Sequence, residues 1–146
     1  MSSRPRYVFD TNVVVSALLF DQSAPGQAFY EALDRGEILL SQDVVEELND
    51  VLSREKFDLY LRFDEREQFL NALIREATVV EVTEEVQVCR DPKDDKYLDL
   101  AISGGATQII TGDEDLLTLN PFRGVEIVTP AQFLASTVED RTEGEA

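Results

Sequence analysis

Acidic residues recur at the points where predicted strands end and predicted helices begin. They are Asp10, Asp43, Glu46, Glu47, Asp91, Asp94, Asp95, Asp113 and Asp115. If the strands are parallel, these points meet at one edge of the sheet, where open α/β sheets bind their ligands. Unpaired carboxylates at close range repel one another strongly. The pattern therefore predicts a Mg²⁺ or Mn²⁺ site made of about three to five carboxylates, because a divalent cation held through oxygen removes that repulsion.

Such a site favours phosphodiester hydrolysis. A bound metal ion lowers the pKa of its water, and one or two ions can bridge a phosphate and stabilise an in-line displacement. The chain has no His and a single cysteine, Cys89, which excludes a histidine base and a zinc site. Any hydrolytic chemistry must therefore come from carboxylates, hydroxyls, Lys or a hard metal ion bound through oxygen.

Simpler structural roles exist for the same acids. Asp10 or Asn12 could cap the helix that follows the first strand. The three acids beside Pro92 could be turn and capping residues, and Asp113 could be a turn acid. The sequence alone leaves these alternatives open.

Strands alternate with helices along the whole chain. The predicted strands are 6–10, 38–40, 78–82, 108–111 and 125–128. The predicted helices are 12–20, 25–36, 41–54, one opened by Asp64, 95–103, and a last one from Pro130. This alternation predicts an α/β fold, with a mostly parallel central sheet in a three-layer α/β/α arrangement.

The middle and the end of the chain give more detailed expectations. Residues 56–63 are predicted as a short helix or a turn, and Asp64 with Glu67 resembles a capping box. In the helix that follows, the side chains expected to face the core are Phe69, Leu70, Leu73 and Ile74. We expect a single domain over residues 1–138 and an acidic, flexible tail at 139–146.

The charge of −17 limits the partners. It argues against broad, non-specific binding of nucleic acids, but it does not exclude a nuclease, because bound cations change the local charge. Eight of the 13 basic residues fall between residues 54 and 96: Arg54, Lys56, Arg62, Arg66, Arg75, Arg90, Lys93 and Lys96. Those in 54–66 and 90–96 could form a rim that contacts phosphates, although Arg66 and Arg75 could instead pair with neighbouring acids.

We expect the protein in the cytoplasm. The single cysteine fits a reducing cytosol. The first apolar run is interrupted by Asp10 and fits neither a signal peptide nor a membrane span.

Three blocks, in their order and spacing, resemble the PIN domain, a family of small α/β ribonucleases that includes VapC-type toxins of toxin–antitoxin pairs. The first block is Val8-Phe9-Asp10-Thr11-Asn12, the second runs from Ser41 to Leu52, and the third runs from Asp91 to Leu117. Arg90-Asp91-Pro92-Lys93-Asp94-Asp95-Lys96-Tyr97-Leu98, followed by Ala101 and Thr111-Gly112-Asp113-Glu114-Asp115, is similar to a subgroup described as toxin components. The resemblance spans residues 6–135.

The resemblance implies roles for particular residues. The matching metal-binding acids are Asp10, Glu47, Asp94 and Asp113, with Asp115 as an outer or alternative ligand. Glu47 matches better than Glu46, and adjacent helical residues point in different directions, so at most one should face the site. Asp95 competes with Asp94 if the helix register is one residue off. The polar residues that match ligand-orienting or phosphate-contacting positions are Thr11, Asn12 and Thr111.

The resemblance implies a Mg²⁺- or Mn²⁺-dependent endoribonuclease that acts on RNA, with an antitoxin protein as a candidate partner and a homodimer as a candidate assembly. The rival hypothesis is a non-catalytic, PIN-like protein-binding module, and the four filled acid positions favour catalysis over it. A phosphoacceptor domain is disfavoured because Phe9 precedes Asp10 and no Lys follows Lys96. A phosphatase is disfavoured because Asn12 and Val14 break its Asp-x-Asp-x-Thr motif.

Overall fold

Five parallel strands form the centre of the protein, whose residues 4–136 are described by a computed structural model. The strands are β1 (Arg6–Phe9), β2 (Glu37–Leu40), β3 (Thr78–Val79), β4 (Gln108–Ile110) and β5 (Glu126–Val128). They lie in the order β3-β2-β1-β4-β5, and every neighbouring pair is parallel. Val8, Ile109 and Ile110 are completely buried, as expected for strands that are covered on both faces.

Helices connect the strands, which confirms the predicted α/β class. They are α1 (Thr11–Leu19), α2 (Ala24–Arg35), α3 (Gln42–Leu52), α4 (Phe63–Glu76), α5 (Asp95–Gly104), α6 (Glu114–Leu117) and α7 (130–136). Two short 3₁₀ turns, Glu55–Phe57 and Pro92–Asp94, precede α4 and α5. Ser41 caps α3 as its position suggests, because its hydroxyl accepts a hydrogen bond from the N–H of Val44 at 3.3 Å.

The strand order creates one crevice. From β1 the chain adds β2 and β3 on one side, and it then crosses back to add β4 and β5 on the other. Right-handed crossovers in opposite directions cover opposite faces of a sheet, which gives the predicted three layers. The direction reverses between β1 and β4, so the crevice lies at the carboxyl ends of these two strands.

Two expectations about α4 are wrong. The helix starts before Asp64, and Glu65 Oε1 accepts the backbone N–H of Arg62 at 3.2 Å, so the predicted capping box of Asp64 and Glu67 is displaced by two residues. Ile74 is 41% exposed rather than inward-facing, because only a narrow stripe of α4 reaches the core.

One predicted strand is longer than the strand in the structure, and other predicted segments lie outside the described residues. The third strand covers 78–79 instead of 78–82, since it lies at the edge of the sheet and pairs with β2 alone. Sequence patterns did not predict the four-residue helix α6. The predicted tail at 139–146 lies outside the described residues, and the single domain over 1–138 stays a prediction. No helix within residues 4–136 is long and apolar enough to span a bilayer.

Candidate active site

Asp10 lies at the crevice between β1 and β4. It follows β1 directly, and its N–H donates to the carbonyl of Ile110 at 3.0 Å, which ties it to the end of β4. Its Oδ1 accepts the N–H of Asn12 at 3.0 Å, and its Oδ2 accepts the hydroxyl of Thr111 at 2.7 Å. Asp10 therefore caps α1, as one predicted alternative holds, and is also held in a buried position at the sheet edge.

Asp113 is brought to the same edge through Thr111. The N–H of Asp113 donates to Thr111 Oγ1 at 3.0 Å, so this one hydroxyl connects the backbone of Asp113 with the carboxylate of Asp10. Asp113 Oδ1 accepts the N–H of Asp115 at 2.9 Å and caps α6. Asp115 thus supports Asp113 through its backbone.

Asp94 approaches from the 3₁₀ turn before α5. Burial, together with a hydrogen bond and repulsion from Asp113, raises the pKa of Asp94 to about 7, and the charge of Asp10 adds to this rise. Burial also raises the pKa of Asp10, against the opposing hydrogen bond from Thr111, and the charge of Asp113 contributes. The three carboxyl groups therefore share a region where negative charge is poorly compensated by the protein.

Asp95 points elsewhere. Its Oδ1 accepts the N–H groups of Cys89 at 2.9 Å and Val88 at 3.3 Å. Burial alone would raise the pKa of Asp95, but these hydrogen bonds outweigh it and lower the pKa. The geometry thus brings Asp94 to the crevice and gives Asp95 a structural role in holding the preceding loop.

Glu47 reaches the edge of the crevice from α3. Its Oε2 accepts a hydrogen bond from the hydroxyl of Tyr97 at 2.5 Å and one from Thr11 at 3.0 Å, and it forms an ion pair with Lys96 at 3.0 Å. Burial would raise the pKa of Glu47, but the donors at Oε2, with Tyr97 first, lower it overall. Glu46 instead accepts a hydrogen bond from Gln42 at 3.0 Å on the exposed side of the helix.

Tyr97 is a site residue that sequence reasoning missed. It is 2% exposed, and its oxygen also accepts the N–H of Thr11 at 3.2 Å. Burial, the charge of Asp10 and the hydrogen bond to Glu47 raise its pKa, so the phenol stays a hydrogen-bond donor. Its position three residues after Asp94 places both on one helical face, which is the signal that could have identified it.

The donor chemistry fits a hard divalent cation. Carboxylate oxygens are the preferred ligands of Mg²⁺ and Mn²⁺, and the raised pKa values of Asp10 and Asp94 show charge that a cation would neutralise. Within residues 4–136, however, no three acidic side chains already converge as a complete ligand set. Glu47 is the member of the predicted set whose Oε2 is engaged by a cation of the protein, Lys96.

Fold and site together define a class of protein: a parallel α/β domain with an acidic site at the point where its strand order reverses. A family model described as the PIN domain matches residues 6–115. The chain belongs to the PIN domain family, as the sequence resemblance predicts. Members of this family are generally nucleases that use divalent metal ions.

One protein and two solved structures are similar to this chain. The chain is 29% identical over 139 residues to the uncharacterized protein MJ1680 of Methanocaldococcus jannaschii, covering 88% of this chain and 89% of that one. The structure of VapBC2 from Rickettsia felis, bound to a DNA fragment from its promoter, has a TM-score of 0.60 at 13% identity, covering 85% of this chain and 98% of that chain. The structure of PAE2754 from Pyrobaculum aerophilum has a TM-score of 0.59 at 17% identity, covering 92% of this chain and 90% of that chain. Both structural likenesses concern the fold.

Proposed function

We propose that this protein is a Mg²⁺- or Mn²⁺-dependent endoribonuclease. The observation that carries the proposal is the approach of Asp94 to Asp113 beside the buried Asp10. Burial, together with the hydrogen bond and charge of Asp113, raises the pKa of Asp94 to about 7. Groups of like charge are costly to hold together without a compensating ion. These acids lie where the strand order of the parallel sheet reverses, and α/β folds bind their ligands at such a point.

The metal ligands in this proposal are Asp10, Asp94, Asp113 and Glu47, with Asp115 as an outer or alternative ligand. A bound divalent ion would supply an activated water and stabilise charge on the phosphate. The protein's own contribution is orientation: Thr111 fixes one oxygen of Asp10, and Asn12 fixes the other through its N–H. Thr11 orients Glu47, and the exposed side chain of Asn12 is available to an RNA phosphate.

The surface charge sets where RNA can approach. Lys96, 18% exposed, lies next to Glu47, and Lys93 lies in the preceding turn, so the 90–96 segment places cations beside the acids. In the 54–66 segment, Arg62 pairs with Asp64 at 3.2 Å, and exposed pairs of this kind are readily exchanged for other partners. We propose that the 90–96 segment is the principal contact for RNA phosphates.

Cleavage of a mixed RNA pool tests the proposal, with Mn²⁺, with Mg²⁺ and with chelator. Asp10→Asn should abolish cutting and keep the fold, because Asn caps a helix as well as Asp does. Asp34→Asn, an exposed acid of α2, is the matched control and should cut like the wild type. Full activity of Asp10→Asn would contradict the assigned site.

A role in a toxin–antitoxin pair is a second part of the proposal. Leu59, Tyr60 and Phe63 are 91%, 62% and 64% exposed, and neighbouring exposed apolar side chains often mark a protein-binding surface. We propose that an antitoxin-type protein in the cytoplasm covers them, and that the homodimer is the assembly. If no RNA is cut under any metal condition while a purified partner protein binds, the PIN-like binding module becomes the better account.

A further inference from the structure

A cavity of about 570 Å³ adjoins the acidic site without being part of it. Its walls come from the first turns of α1, α2 and α7 and from the loop after β4. Asp10 and Asp113 lie on its border, so a ligand that reaches the acids can also extend into the cavity. Asn12, a proposed phosphate contact, also lines the cavity, but the rest of the space has no role in the proposed function.

Most of the wall is apolar. Val13 forms one part, Ala24 and Pro25 form a second, and Pro130 and Ala131 form a third. None of the lining residues, all of which fall within 4–136, is Lys or Arg. The cavity therefore offers surface for an uncharged group with apolar faces and gives a phosphate no cation to bind.

Two polar groups on α1 face the same space. Asn12 and Ser16 both line the cavity and are four residues apart, so they lie on one face of the helix. Within the described chain, neither side chain forms a hydrogen bond. An apolar pocket with a few free polar groups is the usual form of a small-molecule site, and about 300–1,000 Å³ is the usual size.

We infer that this cavity is a subsite for one unpaired nucleobase of the RNA, next to the phosphodiester that is cut. The inference rests on the proposed nuclease function. A nucleotide joins a charged phosphodiester, which the acids would take through a cation, to a planar base with apolar faces and hydrogen-bonding edges. Bases become available for such recognition only in single-stranded RNA, where they can be splayed out of a helix.

Filling the cavity tests the inference. Ala131→Phe places a large ring at its rim on an exposed helical position, and Ala135→Phe makes the same change one turn further along α7, outside the lining. We expect Ala131→Phe to cut single-stranded RNA about tenfold or more slowly, as loss of base contacts elsewhere does. Ala135→Phe should cut normally, and both variants should bind Mn²⁺ within about twofold of the wild type, since neither residue is among the four ligands.

An abasic substrate links the effect to a base. Removing the base next to the cut should slow the wild type to the rate of Ala131→Phe, and the variant should be insensitive to the same removal. Equal sensitivity in both proteins, or unchanged cutting by Ala131→Phe, would overturn the subsite.

Direct binding separates this inference from the nuclease proposal. Adenosine and uridine 5′-monophosphates can be titrated, with diamagnetic Mg²⁺ present, into the wild type and Ala131→Phe and followed by the NMR shift of Val13, which both proteins contain. Binding that Ala131→Phe abolishes would support the subsite even if no RNA were cut, in which case only the nuclease proposal would fail. No shift with either nucleotide would overturn the subsite.

Discussion

Replacing Tyr97 by Phe isolates the hydroxyl that connects α5 with α3 and α1. The ring is 2% exposed and should remain packed, so the change removes only the oxygen and its hydrogen bonds. That oxygen donates to Glu47 Oε2 at 2.5 Å and accepts the N–H of Thr11 at 3.2 Å, and it lies 2.8 Å from the hydroxyl of Thr11. Each hydroxyl has one proton, so the proton of Tyr97 belongs on the shortest contact, to Glu47.

The expected loss of stability follows from these contacts. A hydrogen bond to a charged group, here Glu47, contributes about 1.5–3 kcal/mol. The N–H of Thr11 also loses its acceptor, and a buried donor left without a partner costs about 1–3 kcal/mol. Lys96 and the hydroxyl of Thr11 remain on Glu47 Oε2, which limits the first loss. We expect Tyr97→Phe to lower the free energy of unfolding by about 2–3 kcal/mol, a large part of the roughly 5–15 kcal/mol of a typical domain.

Urea unfolding of the metal-free protein at pH 7 measures this loss. Tyr60→Phe is the matched control, because Tyr60 is 62% exposed, and it should stay within about 0.5 kcal/mol of the wild type. A loss below about 0.5 kcal/mol for Tyr97→Phe would refute the reasoning, since it would show that the buried hydroxyl does not hold Glu47.

The same variant has a predictable pH dependence. Although burial opposes it, the donors lower the pKa of Glu47 in the folded state below its unfolded value, which is about 4.3. The stability that Glu47 contributes is therefore fully present above the unfolded pKa and is lost as the pH falls through the folded pKa. The difference between wild type and Tyr97→Phe should narrow as the pH is lowered below about 4, and a constant difference would contradict an ionised Glu47 as the acceptor.

Three further predictions concern the framework of the site. Asp95→Ala should lower the free energy of unfolding by about 1–3 kcal/mol, because it removes the oxygen that accepts two backbone N–H groups. Urea unfolding at pH 7 measures this loss, and an unchanged midpoint would count against it. Burial, with a hydrogen bond and charge from Asp95, raises the pKa of the Cys89 thiol to about 12. Iodoacetamide at pH 8 should therefore label Cys89 in the native protein far more slowly than in the urea-unfolded protein, and equal labelling rates would disprove the raised pKa. Gly36→Ala should lose about 1–3 kcal/mol, because a Cβ there would meet the backbone oxygen of Pro5, whereas Gly112→Ala meets nothing within 4 Å and should unfold at the wild-type midpoint.

The positions of Asp10 and Asp113 were accessible from the sequence because each comes at or shortly after the end of an apolar run that is typical of a buried strand. Once those strands are parallel and adjacent, their carboxyl ends must meet. The choice between Asp94 and Asp95 is different in kind. Asp94 directly precedes α5 and Asp95 is its first residue. The 3₁₀ turn at Pro92–Asp94, which spacing does not reveal, directs Asp94 toward the crevice and Asp95 toward the preceding loop.

Tyr97 and the start of α4 show two other limits of the sequence. A tyrosine on the apolar face of a helix has the same pattern whether its hydroxyl meets a carboxylate or only water, so its contact with Glu47 depends on how α3 packs against α5. At α4, Asp64 with Glu67 and Arg62 with Glu65 have the same spacing. Only the actual first turn decides which pair is used.

The hydrogen bond from Thr111 to Asp10 joins residues 101 positions apart in the chain. During synthesis, the segment with Asp10 emerges long before β4 exists to complete the crevice. Contacts of such high sequence separation form late and slow the folding of a domain, because a long loop must close first. A nascent or truncated chain that ends before β4 therefore has no assembled site, and the proposed cleavage of RNA can begin only after β4 has been synthesised and has paired with β1.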